Sequence, residues 1–136
     1  MMPDGHDERV RHLVLAALDD PVAWPATAAT LYTEDVRWHC PARQLAIQGR
    51  QAVLARIHAD AALLVGARTV TLRQSISGER VIHESAATLV IPAGGVDGVP
   101  LEPGTLVALN CTRVMQVRDG RICDERVLQT WTSLAV

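Results

Sequence analysis

The sequence predicts an α+β fold, with three N-terminal helices packed on the concave face of a strongly curved, mostly antiparallel sheet. Three observations carry this expectation. Up to residue 66, apolar residues recur at three- and four-residue spacing, as helices buried on one side require. From residue 69 onward they alternate with polar residues, the period of a half-buried strand. The stretch from Cys111 to Trp131 then folds back at Asp119-Gly120, a pair suited to a tight hairpin because Gly tolerates φ > 0.

Each element has its own signal. The first helix is expected over 7–18, where Val10, Leu13, Val14, Ala17 and Leu18 form the apolar stripe. Asp7 and Glu8 suit its positive N-terminal end. Asp19-Asp20-Pro21 stops it, and Asp20 can cap a second helix over 22–32, with Pro25 in a first turn where a missing N–H costs little. A strand at 36–41 puts Val36, Trp38 and Cys40 on one face and Arg37 and His39 on the other, and Pro41 ends it. Residues 42–49 read as loop. The third helix, over 49–66, has the stripe Val53, Ile57, Ala61 and Leu64 and a stop at Gly66. Strands follow at 69–75 and 80–91 around Ser77-Gly78, then at 105–118 and 121–131. Between the two pairs, 92–104 holds four Gly and three Pro and reads as a long, flexible lip.

The last hairpin admits two registers. A two-residue Asp119-Gly120 turn sets Arg118 opposite Arg121 and Arg113 opposite Arg126, two like-charge pairs. A three-residue loop with a bulge at Gly120 sets Arg113 opposite Glu125 instead, and electrostatics favours it.

The totals bound the function. A chain of 136 residues fits one domain, 1–136 with its core at 7–131. With 49% hydrophobic residues it can bury a real core, filled by Leu, Val, Ala and three Trp because Phe is absent. A net charge of −2 without a Lys/Arg cluster argues against nucleic acid. No apolar run approaches the roughly 20 residues of a membrane span, and the polar N-terminus lacks a signal-peptide core. Cys40, Cys111 and Cys123 are far apart, which argues against a disulfide framework and a structural zinc site. The expected setting is the cytoplasm.

Three pieces, Tyr32–His39 (YTEDVRWH), Gly49–Val53 (GRQAV) and Arg118–Ile122 (RDGRI), resemble the SnoaL-like branch of the nuclear-transport-factor-two-like superfamily, also called the cystatin-like α+β cone. The resemblance spans roughly 7–131 and implies that cone fold, which hosts isomerases, cyclases, epoxide hydrolases, dehydratases and non-catalytic binders. By resemblance to ketosteroid isomerases, a general-base Asp falls on Cys40 and an oxyanion-hole Asp near Arg113. By resemblance to limonene-epoxide hydrolases, the water-holding Tyr and Asn fall on Trp38 and Cys40, the middle-strand Arg and Asp on Ser85 and Ala87, and the last-strand Asp on Val127. Both sets are replaced here. The matches still imply that these positions point into the cone, and alternation then turns His83 and Glu125 inward.

The expected activity is cofactor-independent acid–base chemistry (isomerisation, cyclisation, dehydration or epoxide opening) on a small hydrophobic molecule, with a non-catalytic binding or dimerisation module as the alternative. His83 is the first candidate, because an imidazole titrates near neutrality; the structural reading is a half-exposed strand His. Glu125 is the second, as a carboxylate in an apolar cone or as the partner of Arg113 or Arg126. Arg113 would stabilise charge. Trp38, Cys40, Met115 and Val127 would form apolar walls and Ser85 would line the cone. The resemblance keeps His39 as a ligand contact. His83 and Glu84 are adjacent in a strand, so they face opposite ways and cannot share a metal, and no other metal-ligand spacing or phosphate loop is present. Exposed apolar residues on the outer sheet face would favour a homodimer.

Overall fold

The computed structural model describes residues 5–134; residues 1–4 and 135–136, the ends of the expected domain, lie outside the described residues. Helix α1 covers Gly5–Leu18 and buries Val10, Val14, Leu15 and Leu18. The expected second helix is much shorter. Its α-helical part, α2, is Trp24–Ala28, and Thr30 donates its hydroxyl back to the carbonyl of Thr27. Tyr32, expected in that helix, instead opens strand β1 (Tyr32–Cys40), paired with Ile122. Pairing with β6 outweighs the local helix propensity there.

A 3-10 turn, Pro41–Arg43, leads to β2 (Leu45–Gln48), which was expected as loop. At four residues on the sheet edge it is too short to leave a periodic signal. Helix α3 (Arg50–Leu63) follows, then β3 (Arg68–Ser77), β4 (Arg80–Val90), β5 (Leu106–Arg118) and β6 (Arg121–Ser133). They form one six-stranded sheet in the order β2-β1-β6-β5-β4-β3. Among the described residues, only the β1–β6 pairing is parallel.

The helices cover one face. Helix α1 lies over β4 and β5, and α3 over β1. The core between them holds Val14, Trp24, Tyr32, Val36, Trp38, Val53, Met115 and Val127. The 92–104 segment is anchored. Val96 and Val99 pack with Ile91 and Val107 against Trp131, and Asp97 pairs with Arg56 at 3.0 Å.

Two irregularities decide which polar residues face the helices. The final hairpin uses the two-residue turn, with φ of +55° at Asp119 and +71° at Gly120 and with Arg118 opposite Arg121. The bulge expected at Gly120 falls further on: Val117 pairs Ile122 but Gln116 pairs Asp124, leaving Cys123 as the extra residue. That residue reverses the alternation, so Ile122 and Glu125, three apart, are both buried. Arg113 stands opposite Val127, not Glu125, and its length spans the diagonal to the carboxylate. In β3 the register shifts between Thr71 and Arg73. Leu72 is the extra residue, and Thr71 and Gln74 can therefore face the same way.

Candidate active site

The inner face of the sheet forms the floor of a cleft of about 760 Å³, its open mouth included. Cross-strand register lays out that floor. His83 is directly opposite Arg113, Ser85 opposite Cys111, and Ala87 opposite Leu109, which in turn faces Trp131. The floor thus runs from a polar end to an apolar end. Leu18, Trp24, Leu63 and Leu64 close the cleft from the helix side.

At the polar end, His83 pairs with Asp19, the residue just after α1. His83 Nε2 lies 3.0 Å from Asp19 Oδ1, and Thr71 Oγ1 and Gln74 Nε2 each donate to that same oxygen at 2.6 Å. The hydrogen bond from Thr71, then that from His83, outweighs the effect of burial and holds the Asp19 carboxyl below the usual Asp range. An ionised Oδ1 needs donors on every side, so Nε2 carries the imidazole proton, shared with Thr71 Oγ1 at 3.3 Å. The His83 side chain is 3% exposed and that of Asp19 48%, so a ligand meets the carboxylate first.

Beside it, Arg113 Nη1 donates to Glu125 Oε2 at 2.7 Å, and Tyr32 donates its hydroxyl to Oε1 of the same carboxylate. Arg113 lines the cleft; Glu125, fully buried, lies outside the lining and fixes the guanidinium. Burial, with the neighbouring Glu125 charge, pushes the Tyr32 hydroxyl well above its ordinary pKa. A third cluster comes from outside the sheet. Arg43 Nη1 donates to Asp60 Oδ2 at 2.9 Å and its Nε to the carbonyl of Asp97 at 2.8 Å. Arg43 and Asp60 both line the cleft.

Of the residues singled out by sequence, His83, Ser85 and Arg113 therefore line the cleft. Trp38, Cys40, Met115 and Val127, expected as walls, are packed in the core instead, since α1, α2 and α3 cover that half of the sheet. His39 is exposed on the opposite face. Sequence reading missed Asp19, Thr71, Arg43 and Asp60. Asp19 did leave a trace: a carboxylate at the negative end of a helix is unfavourable unless donors compensate it. Among the described residues, no three His, Cys, Asp or Glu side chains gather as a metal ion would require. No helix among them is long and apolar enough to cross a membrane.

A family model described as a SnoaL-like domain matches residues 15–125. No functionally curated protein matches the chain. A structure from Jannaschia sp. CCS1, provisionally named a SnoaL-like polyketide cyclase, superposes with a TM-score of 0.70 at 18% identity, covering 95% of this chain and 91% of that one. An NTF2-like protein of unknown function from Cytophaga hutchinsonii gives 0.68 at 11% identity, covering 88% and 96%. A protein from Kribbella flavida, provisionally named a ketosteroid isomerase, gives 0.63 at 17% identity, covering 90% and 78%. At these identities the likeness is one of fold.

Proposed function

We propose that this chain, which belongs to the SnoaL-like domain family, is a cofactor-independent enzyme that moves a proton on a small hydrophobic molecule held in the cleft. The observation that carries the reading is the His83–Asp19 pair, at 3.0 Å, set in a cleft whose other end is apolar. Asp19 is the proton acceptor. His83, Thr71 and Gln74 occupy its Oδ1, which leaves Oδ2 for the substrate. His83 is then a positioning residue that fixes and charges the carboxylate. Arg113, next to His83 and held by Glu125, stabilises negative charge developing on the substrate. Isomerisation, cyclisation, dehydration and epoxide opening all use such an acid–base pair.

A direct test uses 5-nitrobenzisoxazole, whose C–H proton goes to a base as its N–O bond breaks to a nitrile and a coloured phenolate. The expected result is opening faster than with free acetate, lost by about 100-fold or more in Asp19→Asn and reduced less in His83→Gln. Equal rates in the parent and Asp19→Asn would remove Asp19 from the mechanism. The competing reading is non-catalytic binding, favoured by how fully Glu125 is occupied by Arg113 and Tyr32; the probe would then bind without opening.

The chain is also proposed to pair with a second copy through the outer sheet face. Leu72 and Leu128 are 53% and 44% exposed there, in a groove shared with Asn110, Thr112 and Thr130. Sedimentation should give a dimer that Leu128→Arg dissociates; a monomeric parent would overturn the assignment.

A further inference from the structure

We infer that Arg43 is a ligand anchor: its Nη2 donates to a neutral carbonyl oxygen of the molecule bound in the cleft. The Arg43 side chain is 1% exposed, yet Nη2 is buried without a hydrogen-bond partner. Its other two nitrogens are taken by Asp97 and Asp60. Nη2 is closed off in the unliganded structure, but a buried guanidinium N–H that stays unpaired loses its water without compensation, so a shift of the neighbouring side chains that admits an acceptor from the cleft, which Arg43 lines, is favoured. The residue cannot swing away to find one. Its Nε is tied to the 92–104 segment, and Gly98 lies so close that a Cβ there would fall 2.3 Å from the Arg43 carbonyl oxygen.

Local charge selects the acceptor. Arg43 is paired with Asp60, Asp60 also with Arg56 at 3.4 Å, and Arg56 with Asp97 at 3.0 Å. Two cations and two anions cancel, so the cluster offers directed hydrogen bonds without net attraction for an anion. An apolar ketone or ester fits this, since its ring system would lie on Leu63, Leu64 and Trp131. The inference rests on reading this cleft as the binding site, but not on the proton step.

The test is binding, measured by calorimetry, of 1-tetralone against tetralin, the same skeleton without oxygen, and against 1-naphthoate. The parent should prefer the ketone to the hydrocarbon by about 10-fold or more, and to the anion. Arg43→Lys, which keeps the charge, and Arg43→Met should each erase that preference while tetralin binds as before. A preference that survives in both variants, or that disappears in Arg113→Met instead, would overturn the assignment. So would an absent preference in the parent. Because Arg43 is buried, the side-chain ¹⁵N signals of the unmodified protein give a second readout. The Arg43 guanidinium should shift with tetralone and not with tetralin, whether or not the variants fold. The ketone preference is read from binding alone and probe opening from turnover alone, both in the parent, so failure of the anchor and failure of the proton-transfer reading are distinguishable.

Discussion

Substituting Gly98 by Ala tests whether the 92–104 segment is clamped onto the cleft. Gly98 has φ of +79°, and an added Cβ would lie 2.3 Å from the Arg43 carbonyl oxygen and 2.8 Å from Arg43 Cβ. The left-handed conformation alone costs a non-glycine residue about 1–2 kcal/mol. Neither contact is the far end of a flexible side chain, so relief requires the segment to lift. Lifting it lengthens the 2.8 Å bond from Arg43 Nε to the Asp97 carbonyl, a charge-assisted bond worth about 1.5–3 kcal/mol. The loss should total about 2.5–5 kcal/mol. Gly95 supplies an internal control, with φ of +74° and no atom within 4 Å of a built Cβ. Gly95→Ala should therefore lose only the conformational part, about 1–2 kcal/mol. Urea unfolding of the two variants should differ by about 1.5–3 kcal/mol, or roughly 5–10 °C in Tm. Equal losses would show that Gly98 bears no contact and that the segment does not press on Arg43.

Other expected outcomes follow from the charged clusters. Tyr32 is the sole tyrosine, so its ionisation can be followed by tyrosinate absorbance: the folded protein should resist ionisation well above pH 10, and the urea-unfolded chain should titrate near 10. A raised folded pKa means that this group's stabilisation is intact below about pH 10 and is lost as pH climbs above it. Glu125→Ala, which strands the Arg113 charge, should lower the urea unfolding free energy by about 3–5 kcal/mol; a loss under about 1 kcal/mol would contradict a buried pair. Because the Asp19 pKa is lowered, the acid limb of probe opening should lie below the pH at which an ordinary Asp carboxyl titrates. Thr71→Val, removing the largest contributor, should move that limb upward, and an unmoved limb would exclude Asp19 as the titrating base. Cys40 and Cys111, whose thiols burial pushes up, should alkylate with iodoacetamide at pH 8 far more slowly in the folded protein than in urea.

The fold was legible because its signals are local. The stripe in α3 and the alternation in β4 and β5 depend on residues a few positions apart, and their elements fall close to where those patterns end. The failures also have local causes. Tyr32 follows a short helix with nothing in its composition to stop it, and only its pairing with Ile122 draws it into a strand. A bulge breaks the very period that strand reading relies on. Strict alternation from Ile122 would bury Asp124, and the extra residue at Cys123 buries Glu125 instead. Counting back from Val127 gave Glu125 its inward direction for the right reason, although the bulge was expected at Gly120. Asp19 was out of reach of any periodic argument, being a turn residue whose partners on β3 and β4 are brought to it by tertiary packing.

The two bulges make one further argument. Each turns a polar residue toward the helices, but with opposite consequences. The bulge at Cys123 supplies Glu125, both of whose oxygens are consumed by Arg113 and Tyr32 in a closed, buried network. That network can hold Arg113 in place and has no free atom with which to do chemistry itself. The bulge at Leu72 supplies Thr71 and Gln74, which load one oxygen of a half-exposed carboxylate. Three donors on a single oxygen are far more than a surface Asp needs, and they fix its orientation toward the cleft. Saturation of a buried polar group marks support, and a fixed group with one atom unspent marks action. By that criterion Glu125, the more deeply buried carboxylate and the more obvious candidate by sequence, is the scaffold that holds Arg113, and Asp19 and Arg43 join Arg113 as the residues we propose meet the ligand.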